Sequence, residues 1–258
     1  MKTKLTLLLM IAPILLFGQM KREVLNYNGI QYLKYTPTTM AVKGAILYLH
    51  GIGERGTDIN LVENNEIPKQ LKAGMEVPFI VVAPQLPSSL AGWYGNITYP
   101  IIDLMKTYGL DLHITGISLG AMTVPSLVSE KPGVFKTAST VCGLVDGTAK
   151  TAIFAEFTKI PSVHYYDPSD NTIAYGYASI KDMCDQLKAK NADITLVLLT
   201  GGHAIWPQAY LSTQYWAWLA SKTAPVTTSV AIDKQYRIGD DMFIESGGQV
   251  FKVALTPN

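Results

Sequence analysis

The sequence predicts an α/β fold: a mostly parallel central sheet flanked by helices on both faces, opened by an antiparallel hairpin and followed by a short β-rich extension. Three observations carry this. Apolar runs of strand length alternate with helix-length segments. Several of those runs are apolar throughout, as strands covered on both faces require. Asn28-Gly29 between two alternating runs is a strong hairpin signal. With 258 residues, 48% of them hydrophobic and 16% charged, the chain has material for one large core.

The first element is not part of that core. Lys2 and Lys4 precede an apolar run from Leu5 to Phe17, shorter than the roughly 20 residues a membrane span needs. We read residues 1–18 as an export signal cut near Gly18 or Gln19. No cysteine adjoins the cut, so no lipid anchor is indicated, and the mature chain is expected to be secreted or periplasmic without a stable membrane anchor.

The main domain is expected over residues 19–222. Glu23 to Tyr27 and Ile30 to Tyr35 form the hairpin. Strands follow at Ala45 to Leu49, Phe79 to Ala83, Leu110 to Thr115, Lys136 to Val141, Ser162 to Tyr166 and Ile194 to Leu199. Helices are expected at Ile67 to Met75, Thr98 to Tyr108, Leu119 to Glu130, Ala149 to Lys159, Tyr177 to Lys190 and Pro207 to Ser221, the last with proline in its first turn. From Thr223 the chain reads as a linker. Short strands follow around Tyr236, Met242 to Glu245 and Gln249 to Val253, with a Gly247-Gly248 turn, so residues 223–258 form the extension. A segment of that size cannot bury a useful core alone.

Net charge of +1, with no basic run, leaves no footprint for nucleic acid. Cys142 and Cys184 are the two cysteines, expected as buried free thiols rather than a pair. The sequence does not set an oligomeric state.

The informative stretch is Gly116-Ile117-Ser118-Leu119-Gly120, between a strand and a helix. Strand, Gly-x-Ser-x-Gly, helix describes a turn so sharp that the serine sits on strained backbone with its hydroxyl exposed. A serine hydroxyl becomes a nucleophile only with a base to take its proton and a third group to orient that base. In this topology the partners follow in the order serine, acid, histidine, on loops after later strands. Of the four histidines, His50 and His113 precede Ser118 and His164 lies inside a strand. His203 alone follows the final strand, in a glycine-rich turn. For the acid, Asp167 and Asp170 compete on the loop after Tyr166. Asp170 is favoured because it lies further into the loop, while Asp167 abuts Pro168 and is expected to shape the turn. The oxyanion that forms during acyl transfer needs N–H donors. These are assigned to the backbone of Leu119 and, in the loop His50-Gly51-Ile52-Gly53-Glu54-Arg55-Gly56, of Ile52. No histidine pair has zinc-motif spacing, so no metal is expected.

With these residues in hand, the chain resembles the α/β-hydrolase superfamily from about Val24 to Lys222. Within it, the chain is similar to the secreted esterase and predicted-peptidase group related to feruloyl esterases and the carboxylesterase/phospholipase branch. The specific parts are the segments 49–56, 116–120, 170–172 and 202–206. The resemblance implies Ser118 as nucleophile, Asp170 as acid, His203 as base, and ester hydrolysis through an acyl-enzyme without metal or organic cofactor. The acid loop departs from the pattern: Ala174 stands where a second proline is common. The expected substrate is a small-molecule or polysaccharide-linked ester, feruloyl and acetyl esters included. Trp93, Trp206 and Arg55 are expected near it, and Glu54 and Arg55 either pair with each other or meet a polar substrate. Two rival readings are a serine peptidase on the same scaffold and a non-catalytic carbohydrate- or surface-binding protein. Ser118 disfavours hydrolases that need a carboxylate nucleophile.

Overall fold

The computed structural model describes residues 19–145, 150–223, 234–238, 241–246 and 249–253. The export signal expected over residues 1–18, the linker from residue 224 and the Gly247-Gly248 turn lie outside the described residues. Contacts divide the chain into two units, Met1–Ala224 and Pro225–Asn258.

In the first unit, strands β1 (Lys21–Tyr27) and β2 (Ile30–Thr36) make the antiparallel hairpin. Asn28 and Gly29 both take positive φ, 53° and 82°, as a two-residue hairpin turn of matching twist requires. Strands β3 (Gly44–Leu49), β4 (Phe79–Pro84), β5 (Leu112–Ile117), β6 (Phe135–Val141), β7 (Ser162–Tyr166) and β8 (Ile194–Leu198) complete an eight-stranded sheet in the order β1-β2-β4-β3-β5-β6-β7-β8. β2 meets β4 antiparallel, and every neighbour from β4 to β8 is parallel. Every residue of β3 and β5 is buried, which is why β3 reads as a continuous apolar run; β5 also carries His113 and Thr115, whose side chains find hydrogen-bond partners inside.

The crossovers are α1 (Glu66–Lys72), α2 (Gly95–Lys106), α3 (Leu119–Glu130), α4 (Lys150–Phe157) and α5 (Gly176–Lys188). The single helix expected from Pro207 to Ser221 is instead two, α6 (Trp206–Tyr210) and α7 (Thr213–Ser221). Ser212 stays extended between them and its side chain accepts from the Gln214 N–H, capping α7. The Trp216 indole donates to the Tyr210 carbonyl at 2.8 Å, supplying the partner that a continuous helix would have provided. The break turns Tyr210 and Tyr215 onto the sheet. Their hydroxyls join Thr115 and Ser139, so polar side chains of β5 and β6 are hydrogen-bonded within the core.

Two short 3-10 turns, Ile52–Glu54 and Ile59–Asn64, follow β3 and have no counterpart in the sequence reading. The second is tied to the hairpin through buried Glu63, which accepts from Arg22, Tyr35 and Lys72. Hydrogen bonds from these three residues hold that carboxylate down at about 2 against the pull of burial. The second unit is an antiparallel sheet of β9 (Lys234–Ile238), β10 (Asp241–Ser246) and β11 (Gln249–Val253), ordered β11-β10-β9.

Candidate active site

Four loops at the carboxyl edge of the parallel strands build the site. The first follows β5. Ser118 takes φ 50° and ψ −119°, a conformation L-residues rarely adopt, and its side chain makes no capping hydrogen bond to α3. The turn closes only because both flanking glycines lack a Cβ. A Cβ on Gly120 would lie 2.0 Å from the Leu49 carbonyl oxygen at the end of β3. One on Gly116 would lie 2.7 Å from the Gly120 carbonyl carbon in α3.

The freed hydroxyl finds an imidazole. Ser118 Oγ lies 2.9 Å from His203 Nε2, and His203 Nδ1 lies 2.7 Å from Asp170 Oδ2. An acid on Nδ1 fixes the tautomer: that nitrogen carries the proton and Nε2 keeps a lone pair facing the serine. The Asp170 side chain is fully buried. Burial opposes its charge, but the His203 hydrogen bond and the Thr172 N–H outweigh it and hold its pKa below the usual carboxylate value.

Asp167 does something else. One oxygen accepts from the Ser169 N–H and hydroxyl, the turn-shaping role expected of it. The other accepts from Gly201 N–H at 2.7 Å and Gly202 N–H at 2.6 Å. Asp167 thus fastens the loop that carries His203. Four donors, the Gly202 N–H foremost, hold its carboxyl well below the usual range. Behind the pair, Cys142 also takes positive φ, 53°, and its thiol donates to the His203 carbonyl at 3.2 Å. Donor atoms of Cys142, Asp170 and His203 lie within 4.8 Å of one another. Asp170 is already engaged by the imidazole, and burial, with the Asp170 charge, keeps the thiol protonated, so the trio fits a hydrogen-bonded support better than a metal cage.

The two assigned oxyanion donors share a local feature. Leu119 begins α3 and Ile52 begins the 3-10 turn, so each N–H belongs to the first position of a helical turn, where no intrahelical acceptor exists. Ile52 is 58% exposed and lines a cleft of about 270 Å³ together with Gly51, Glu54, Asn65, Ser118, His203 and Trp206. His50 is fully buried beneath this loop: its Nε2 accepts from the Leu86 N–H and its Nδ1 meets the Gly51 carbonyl at 2.6 Å.

No family model matches the sequence, and no curated protein sequence matches it. Solved structures do. A thermostable esterase superposes with a TM-score of 0.60 at 20% identity, covering 80% of this chain and 64% of that one. A ferulic acid esterase gives 0.56 at 12% identity, covering 80% and 98%. A predicted CIB-like hydrolase from Thermoplasma acidophilum gives 0.53 at 13%, covering 79% and 97%. The chain has the α/β-hydrolase fold. It spans just under two thirds of the length of the thermostable esterase.

On this α/β-hydrolase scaffold the structure brings together Ser118, His203 and Asp170, and sets Trp206 on the cleft wall with its ring edge-on to His203 at 5.4 Å. It does not bring Trp93 or Arg55 to the cleft, which corrects that expectation. Trp93 is buried against His50, its indole donating to the His50 carbonyl at 3.2 Å, because a large ring with one polar atom packs best where that atom finds an acceptor. The Arg55 guanidinium is occupied by the Ile52 and Leu90 carbonyls. Glu54 and Arg55 therefore do not form the pair considered for them, and Glu54 accepts from Asn65 instead. Asn65 escaped the sequence reading. It lies 11 residues beyond Glu54, past the two turns, and no spacing rule marks it.

Proposed function

We propose that this chain is a serine hydrolase that cleaves carboxylic esters through an acyl-enzyme. One observation supports the reading above all others: an unbroken hydrogen-bonded line from Ser118 Oγ through both nitrogens of His203 to a buried carboxylate, at 2.9 and 2.7 Å, starting from a strained serine. Ser118 Oγ attacks the ester carbonyl carbon while His203 Nε2 takes its proton. The electron pair displaced onto the carbonyl oxygen is met by the N–H groups of Leu119 and Ile52. As the tetrahedral centre collapses, the bond to the alcohol oxygen breaks and His203 returns the proton to it. Water, deprotonated in the same way, attacks the acyl-serine and releases the acid. Asp170 keeps its charge throughout and steadies the imidazolium. None of these steps calls on a metal or an organic cofactor. The proposal includes export, with residues 1–18 removed.

The test sets purified mature protein beside Ser118→Ala on p-nitrophenyl acetate and butyrate, methyl ferulate, acetylated xylan and a peptide amide. Ester turnover should fall by at least about 10³-fold in the variant, as expected when a nucleophile is lost. Equal rates in the two proteins overturn the mechanism. Cleavage of the amide in preference to esters moves the assignment to a peptidase.

A further inference from the structure

The cleft wall carries an acid that the reaction just described does not use. Glu54 ends the 3-10 turn after Gly51 and is 4% exposed. Its Oε1 accepts from the Asn65 side-chain amide. Its Oε2 is buried and has no hydrogen-bond partner among the described residues. Among the described residues, no cationic side chain answers its charge. His50 Nδ1 is 3.9 Å away, but that ring is held neutral between the Leu86 N–H and the Gly51 carbonyl, and burial pushes its pKa down to about 4. Arg55 is committed to two carbonyls. Burial raises the Glu54 carboxyl, and the Asn65 amide with the Gly51 and Glu54 N–H groups offsets this only in part.

Position sets the reach of this acid. A Cβ on Gly51 would lie 3.3 Å from Glu54 Oε2 and 3.5 Å from Ser118 Cβ. The carboxyl oxygen and the serine therefore border the same small gap, and the residues Glu54 and Ser118 both line the cleft. A group bound at Glu54 belongs to the part of a substrate beside the scissile carbonyl.

Charge then selects the chemical class. Burial disfavours the charged form of this carboxyl, and any negative charge on it in the cleft opposes a developing oxyanion through like-charge repulsion. A buried carboxyl oxygen without a partner is itself costly. A protonated amine relieves both, donating to Oε2 and standing between the two negative charges. We propose that Glu54, steadied by Asn65, is a subsite for a protonated amine on the carbon next to the scissile carbonyl, so that the preferred substrates are esters of α-amino acids. The inference rests on the hydrolase reading above and narrows it.

Three 2-naphthyl esters that differ in one group decide it: L-alanine, carrying the ammonium; isobutyrate, carrying a methyl in its place; and L-lactate, carrying a hydroxyl. At about pH 6.5, where the α-amine is largely charged, wild type should favour alanine over isobutyrate in kcat/KM by at least about tenfold, the scale of a hydrogen bond to a charged group. In Glu54→Gln that ratio should fall by at least about tenfold, since the activation of the ester by its own ammonium is common to both proteins. N-acetylation of the alanine ester should remove the advantage in wild type. The same ratio in both proteins overturns the subsite, and so does a lactate ester cleaved faster than the alanine ester. Should wild type cleave none of the esters, or Ser118→Ala cleave them equally fast, the hydrolase reading fails first. Isobutyrate cleaved without gain from the amine sinks the subsite alone. Binding gives a readout that needs neither turnover nor the Glu54 variant: Ser118→Ala should bind L-alaninamide more tightly than isobutyramide, with the difference shrinking in high salt. Equal affinities overturn the proposal.

Discussion

Lowering the pH from 7 to 5.5 should remove about 4 kcal/mol of the stability contributed by three imidazoles that are sealed in the fold in their neutral form. His50, His113 and His164 are at most 1% exposed. Burial is the chief cause in each case, and it pushes their pKa values down to about 4, about 4 and about 3. A histidine depressed in the folded state keeps its stability contribution above the unfolded value near 6.5 and loses it as the pH falls towards the folded value. At pH 5.5 the unfolded chain has taken up protons that the native chain refuses. That costs about 1.2 kcal/mol per ring relative to pH 7, a large share of a total near 5–15 kcal/mol. Glu54 and Glu66, raised by burial, act in the opposite sense, so the difference between two proteins is cleaner than the sum. His164 is the best probe, since burial alone perturbs it and Thr140 Oγ1 is its sole hydrogen-bond partner among the described residues, with Phe157 as a ring contact. Urea unfolding followed by tryptophan fluorescence at both pH values should show His164→Gln losing about 1.2 kcal/mol less than wild type over this interval. His113→Gln, tested the same way, serves if the first variant does not fold. Identical pH dependence in wild type and variant would refute the argument.

Other consequences are quicker to check. Asp170→Asn should lower kcat/KM by about 10³- to 10⁴-fold through loss of the oriented tautomer, and Asp167→Asn by only about 10- to 100-fold through looser placement of His203. Steady-state kinetics on one small ester rank the two, and the reverse order transfers the acid role. Gly120→Ala would place a methyl 2.0 Å from the Leu49 carbonyl oxygen and should destabilise by at least about 3 kcal/mol, whereas Gly53→Ala, with nothing within 4 Å, should stay within about 0.5 kcal/mol by thermal unfolding. Cys142 and Cys184 are both free and buried, with thiols pushed up by burial, so a thiol-specific dye should label neither in the native protein and both in urea. Rapid native labelling of either contradicts that packing.

What the letters disclose and what they hide divides along the range of the interaction. The Gly-x-Ser-x-Gly turn, the Asn28-Gly29 hairpin and the boundaries of α3 and β7 are legible because each depends on residues adjacent in the chain. The order serine, acid, histidine is legible because topology permits few arrangements of loops along one sheet edge. Trp93 is not legible: the letters place it near a loop at that edge, but only packing shows that its indole serves the His50 carbonyl rather than the cleft. The two helices after His203 are hidden for the same reason, since the bond from Trp216 to the Tyr210 carbonyl is made by a fold in the helix itself.

The aspartate pair shows how far the distinction goes. Asp167 and Asp170 lie three residues apart on one loop, and both reach the segment around His203, 33 to 35 residues further on. Their roles differ because of what is already bound. Asp167 has both oxygens filled by four donors, two from Ser169 and two from the glycine N–H groups, so it has no lone pair directed at an imidazole. Asp170 spends one oxygen on the Thr172 N–H and keeps the other for His203 Nδ1. The glycines at 201 and 202, with φ of 143° and 72°, let the histidine loop present two successive N–H groups to Asp167 while aiming the ring at Asp170. A side chain at either glycine would strain that turn and move the imidazole relative to Ser118. The spacing of the two acids and the two glycines is therefore one device: the first acid sets where the histidine stands, and the second sets which way its proton points.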